Sequence, residues 1–132
     1  MKQWIMSASP LIYDHMRAFQ KNGYIDWHQT RNFEPGDIVY IYCSKGVSRV
    51  QFLTCVEKVN ITEVPEDAEF WKIKDIPVKK KYFRLRLLKY VDKEELSLKK
   101  LKENGMKYAP QSPCVLTDQL AEYLGNYFKG DE

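Results

Sequence analysis

The sequence predicts an α+β domain built on a curled antiparallel sheet, and three observations carry that reading. Strand-like runs joined by short turns fill the middle of the chain. Amphipathic helical patterns lie near both ends, and neither an alternating strand–helix rhythm nor a glycine-rich phosphate loop marks a parallel α/β fold. With 132 residues and 44% hydrophobic content, residues 1–132 read as a single domain with a sizeable core.

The elements follow in order. "KQWIMSA" is a short apolar strand. "SPLIYDHMRAFQKNG" carries Ile12, Met16 and Phe19 at helical spacing, with Ser9 expected as N-cap, Pro10 at the first helical position and Gly23 as the stop. "EPGD" is a turn that launches "IVYIYCS", whose Val, Ile and Tyr suit a strand. "KGVS" reads as a hairpin connection into the long strand "RVQFLTCVEKVNI", so these two strands should pair antiparallel. After an acidic loop, "KYFRLRLLKYV" is a further strand and "LSLKKLKENG" a short helix ended by Gly105. The closing "VLTDQLAEYLGNYF" aligns Leu116, Leu120, Tyr123, Leu124 and Tyr127 on one helical stripe that must pack on apolar surface.

Composition excludes several function classes. No run approaches a membrane span, and "MKQWIMSASP" lacks the apolar stretch of a secretory signal, so a cytoplasmic location without membrane contact is expected. Cys43, Cys55 and Cys114 show no paired spacing, and with only two histidines they read as reduced, packed residues rather than metal ligands. No cofactor motif is present. His15 and His28 have no nucleophile in a strand-to-helix elbow beside them, and the carboxylate pairs Glu66/Glu69 and Glu94/Glu95 sit in charged surroundings. An enzyme is not expected.

The net charge of +3 is too small to mark a nucleic-acid binder, but its distribution is uneven. Lys79, Lys80, Lys81, Arg84, Arg86 and Lys89 crowd one segment, and Lys99, Lys100, Lys102 and Lys107 another. Glu63, Glu66, Asp67 and Glu69 form the acidic loop. Arg84 and Arg86 alternate with Phe83, Leu85 and Leu87, which places both arginines on one face of a strand.

"WIMSASP" closing the first strand, "DWHQTRN" before the turn, "PGDIVYIYCS" with "FLTCVEKV", then "YFRLRLL" and the closing helix together resemble an EVE domain. That family belongs to the PUA-like superfamily, as do the YTH RNA-reading domains. The glycine-lysine-glutamate signature of the related ASCH domains is missing. The resemblance implies a curled antiparallel β-barrel of five or six strands flanked by helices, and a non-catalytic domain that recognises a modified, for example methylated, nucleobase in an aromatic pocket.

Under that resemblance Trp27 is the stacking platform, because an unstacked base regains about 1–3 kcal/mol on an aromatic ring. Trp27 sits among polar residues in an expected recognition loop, residues 26–32, from which His28, Gln29, Thr30 and Asn32 offer hydrogen bonds to the base edge. Ser7, Ala8 and Ser9 form the other wall with Tyr42 and Ser44, and Trp71 in "EFWKI" is the second ring. Lys80, Lys81, Arg84, Arg86 and Lys107 are expected on the nucleic-acid backbone. Arg31 reads equally as a phosphate contact or as a surface partner of Asp26 or Glu34. Trp4 and Cys43 read as core, and Tyr40 and Tyr42 share a strand face where at least one lines the barrel. The expected partner is modified DNA or RNA, with any chemistry on a separate nuclease or modification enzyme. The alternative is a small-molecule or protein-interaction barrel, and an acidic rim from residues 63–69 would favour it.

Overall fold

Alternating apolar residues set the strands of the computed structural model, which describes residues 1–128. The strands are β1 (Gln3–Ala8), β2 (Tyr24–His28), β3 (Ile38–Cys43), β4 (Arg49–Ile61), β5 (Tyr82–Tyr90) and the two-residue β6 (Cys114–Val115), and the helices are α1 (His15–Asn22), α2 (Leu98–Glu103) and α3 (Asp118–Phe128). The strands form one sheet in the order β2-β5-β4-β3-β1-β6. Two expectations are corrected here. The sheet is mixed, because β1 runs parallel to β3 with Trp4 opposite Val39 and Met6 opposite Ile41. It is also open, with β2 and β6 at opposite edges rather than closed into a barrel. The cause lies in the connection: α1 reverses the chain, β2 leaves to pair with β5 at the far edge, and β3 then returns in the direction of β1.

Each strand's period of two sends side chains to two cores. On one face Trp4, Met6, Val39, Ile41, Phe52, Phe83 and Leu85 pack with Ala18 and Phe19 of α1. On the other, Ile5, Tyr40, Tyr42 and Val50 pack with Leu101 of α2 and with Leu120, Leu124 and Phe128 of α3. β3 is therefore buried on both faces, and that is why its sequence is a continuous apolar run. Each fully buried Leu, Ile or Phe contributes about 1.5–3 kcal/mol relative to exposure. Of the predicted α3 stripe, Leu120 and Leu124 are buried, while Leu116, Tyr123 and Tyr127 are partly buried against the same core.

The helix ends follow local chemistry, with one correction. α1 is capped by Asp14, whose Oδ1 accepts from Arg17 N at 3.1 Å, and not by Ser9. Ser9 instead opens a turn in which its carbonyl accepts from Ile12 N and Tyr13 N, both at 3.3 Å, so Pro10 and the exposed Ile12 precede the helix. Gly23 ends α1 as predicted, at φ 79° with its N–H on Phe19 O. Ser97 and Thr117 cap α2 and α3. The "EPGD" turn is fixed by buried Asp37, whose carboxylate accepts from Lys2 N, Trp4 Nε1 and Glu34 N. Burial opposes that charge, but the three donors outweigh it and hold the carboxyl below its ordinary range.

All three cysteines are unpaired. Cys43 is buried as expected, Cys55 is half-buried, and Cys114 is exposed on β6, which corrects the reading of all three as packed. No helix among the described residues is long and apolar enough to cross a membrane.

Candidate functional site

The N-terminal part of "YIDWHQTRN" is not a loop but the edge strand β2. Its pairing with β5 sets Asp26 opposite Arg84, Trp27 opposite Phe83 and His28 opposite Tyr82. Trp27 packs its inner side on the α1-face core. Across from it stands Trp71, which follows a 3₁₀ turn at Ala68–Phe70 and is tied to the segment after β1. Its backbone bridges Tyr13, and Lys72 N donates to Ile12 O at 2.9 Å.

The two indoles are parallel within 2°, with centroids 5.9 Å apart. Tyr13 stands 79° to both and 5.0 Å from each. The two indoles border a cleft of about 410 Å³ lined also by Asp26, His28, Asp67, Lys79 and Tyr82, with Ile76, Pro77 and Val78 as an apolar wall, while Tyr13 is buried beside them. Tyr82 OH accepts from Lys79 N at 2.9 Å and closes that wall onto β5.

Hydrogen bonds lock the cage. Asp67 Oδ1 accepts from Trp71 Nε1 at 3.1 Å, and Oδ2 from the Tyr13 hydroxyl at 3.4 Å. Burial, with Asp26 nearby, holds the Asp67 carboxyl above its ordinary range despite those donors. Burial and then Asp67 push the Tyr13 hydroxyl up. Asp26 is neutralised by Arg84, which donates to both its oxygens at 2.8 and 3.0 Å. His28 is held below its ordinary value by burial and then by Lys79, so it faces the cleft as a neutral imidazole at pH 7. Behind Trp27 the buried His15 ring lies 5.0 Å away. Neither His15 nitrogen has a hydrogen-bond partner among the described residues, and burial pushes its pKa down to about 4.

Trp27, His28 and Trp71 thus meet in one cleft, and the other residues named from the sequence do not join them. Gln29 is buried, its amide bonded to Asn60 and to the Arg31 carbonyl, because the chain turns inward after β2. Asn32 is exposed and outside the cleft lining. Ser7 Oγ donates to the Pro110 carbonyl, Ser9 Oγ accepts from Leu11 N, and Ser44 Oγ donates to Ala8 O at 3.4 Å. Tyr42 is buried on the opposite face under α3.

The basic residues divide in the same way. Arg31 binds Ser112 Oγ and the Pro113 carbonyl rather than Asp26 or Glu34. Arg84 and Arg86 do share a strand face, but they pair with Asp26 and Glu57 and lie over the Tyr24 ring at 3.9 and 5.6 Å. Lys107 borders a separate cleft beside β6. Lys80 is exposed and Lys81 half-buried, next to Lys79 on the cleft rim.

Tyr13 and Asp67 were missed. Both belong to turns without periodicity, and they meet only because Trp71 docks on the segment after β1. On its other side, across Asp26, Val64, Pro65 and Asp67, the cleft adjoins a larger groove of about 910 Å³ bordered by Glu57, Lys58, Glu63 and Glu66. No group of three or more His, Cys, Asp or Glu among the described residues is placed to hold a metal ion. The chemistry the cleft offers is a flat aromatic slot with a carboxylate on the side of the larger groove and a lysine in its lining.

No protein-family model matches the chain, and no curated protein sequence does. Solved structures do match in fold. The ASCH protein of Zymomonas mobilis is 15% identical with a TM-score of 0.64 over 99% of each chain. Atu2648 of Agrobacterium tumefaciens is 18% identical with a TM-score of 0.64, over 96% of this chain and 92% of that one. The YTH domain of Pho92, solved in complex with m6A, is 17% identical with a TM-score of 0.56, over 99% of this chain and 85% of that one. The fold is thus the PUA-like one that ASCH and YTH domains share. The missing glycine-lysine-glutamate signature does not set the chain apart from ASCH domains in fold.

Proposed function

We propose that this chain is a non-catalytic, EVE-type nucleic-acid-binding domain that holds a modified nucleobase, for example a methylated one, between Trp27 and Trp71. The parallel indole pair bordered by Tyr13 carries this reading. A base sandwiched at contact distance on both sides needs roughly 7 Å between the rings, twice a contact of about 3.5 Å. The indole centroids stand closer than that, so entry of a base moves the rings apart. Trp71 is the wall that gives way, since it lies outside the sheet while Trp27 is fixed by pairing with β5.

In this reading Lys79, which lines the cleft, and the exposed Lys80 beside it meet phosphate, whereas Arg84 and Arg86 are occupied by carboxylates. The m6A complex of the Pho92 YTH domain supports a base as ligand by analogy of fold. Any chemistry on that base is assigned to a separate nuclease or modification enzyme.

Titration with oligonucleotides of DNA and RNA bearing methylated or hydroxymethylated bases, against unmodified controls, tests the proposal. Modified bases should bind more tightly, and Trp27→Ala should abolish the preference. Equal, weak and salt-sensitive binding to all of them reduces the protein to a polyanion binder and overturns the reading. One observation favours a small-molecule or protein-interaction module instead: among the charged residues bordering the adjoining groove, the carboxylates Asp26, Glu57, Glu63, Glu66 and Asp67 outnumber the cations Lys58 and Arg84, and carboxylates repel phosphate. Binding of no oligonucleotide at low salt would move the assignment to that second reading.

A further inference from the structure

We infer that the cleft selects a base carrying a positive charge, such as one methylated on a ring nitrogen, over its neutral isomer. This rests on the proposed reading of the cleft as a base site. Three features of the cage point to a cation. The faces of aromatic rings carry partial negative charge, and two parallel indoles present such faces to whatever lies between them. Asp67 adds a carboxylate on the side shared with the larger groove, fixed against Trp71 and Tyr13. No cation stands within ion-pair distance of Asp67 among the described residues.

The neighbouring charges sharpen the argument. Asp26 has its counter-ion in Arg84, so Asp67 is the carboxylate of the cleft that lacks one. The lining cation, Lys79, acts on His28, whereas Asp67 binds Trp71 and Tyr13. The cleft thus carries an unpaired carboxylate at Asp67, on the side of the larger groove, and a cation at Lys79. A cationic base matches both, with its ring against the indoles and Asp67 and its phosphate toward Lys79 and Lys80. A neutral base gains the stacking but covers the Asp67 carboxylate without supplying a counter-ion.

The test uses isomers that share a methyl group but differ in charge. Single-stranded oligonucleotides of one sequence carry N1-methyladenine or N6-methyladenine, and a second pair carries 3-methylcytosine or 5-methylcytosine. Binding is read by fluorescence anisotropy at pH 7. The cationic member of each pair should bind about tenfold more tightly, the increment expected of a desolvated cation between aromatic rings. Asp67→Asn should erase that difference, read as the affinity ratio within each pair, because it removes the charge while the amide oxygen still accepts from Trp71 Nε1 and the Tyr13 hydroxyl can accept from the amide nitrogen. Equal binding, or preference for the neutral member, overturns the charge inference while leaving the base site intact, provided that Trp27→Ala still abolishes binding. A preference that survives Asp67→Asn overturns the role of Asp67. Absence of Trp27-dependent binding to all four oligonucleotides overturns the base site and this inference together.

Discussion

Under α3 the sheet is covered by Ile5, Tyr40, Tyr42 and Val50 against Leu120, Leu124 and Phe128, whereas the opposite face carries Trp4, Phe33, Phe52 and Phe83 and ends in the Trp27–Trp71 cleft. The first face is a helix laid on a sheet, closed by side chains at regular spacing. The second is covered by one short helix and by turns, and where that cover stops the aromatic rings reach solvent. The contrast separates two demands on one sheet: a core that excludes water throughout, and a core that leaves a slot at its margin.

The largest expected effects test whether stability and recognition are separable along this second face. Phe83 is fully buried and stacked on Phe33, with centroids 4.1 Å apart. Phe83→Ala should cost about 3–5 kcal/mol and Leu124→Ala, on the other face, about 2–5 kcal/mol in urea unfolding. Trp71→Ala, a half-buried residue outside the sheet, should cost only about 1 kcal/mol yet remove modified-base binding. Equal destabilisation by Trp71→Ala and Phe83→Ala would make the cleft an ordinary part of the core.

A smaller effect concerns pH. Buried His15 has its pKa lowered from 6.5 to about 4, so between those values the unfolded chain binds the proton and the folded chain does not. Stability is then fully present above about pH 6.5 and falls by roughly 3 kcal/mol as pH drops to 4. His15→Phe should flatten this acid limb, read from urea midpoints at pH 7, 5.5 and 4.5. Asp37 acts in a separate, lower window: its depressed carboxyl stabilises the fold above its unfolded pKa of 3.8 and loses that contribution as pH falls further.

The smallest expected effect is Arg86→Ala. Its pair with Glu57 is solvent-exposed and should contribute less than about 1 kcal/mol. Oligonucleotide binding should change little, because this guanidinium is already occupied. A large drop in the salt dependence of binding would instead place Arg86 on the nucleic-acid path.

The α3 face was readable from the sequence because Leu120 and Leu124 repeat at helical spacing and β3 is continuously apolar. The hairpin of β3 and β4 was readable from its turn residues. β2 was harder: as an edge strand with half-exposed Asp26, Trp27 and His28, it shows a weak apolar period and reads as loop. The parallel pairing of β1 with β3 leaves no local mark, since direction is set by where β2 goes. The same holds for the cage. Trp27 and Trp71 could be singled out as rings in polar company, but Tyr13 and Asp67 gain meaning only through a contact between distant turns. The polar residues following Trp27 suggested a recognition loop, yet Gln29 is turned inward to Asn60.

The pairing of β2 with β5 has a kinetic consequence. β3 and β4 meet across the short turn 44–48, so their ladder closes a small loop, whereas β2 must wait for β5, with β3, β4 and residues 62–81 lying between. Closing a longer loop costs about 0.6 kcal/mol more per doubling of its length, and contacts distant in sequence slow folding. Trp27 rides on the late strand and Trp71 on the intervening segment. The slot between them should therefore be completed after the central hairpin during folding.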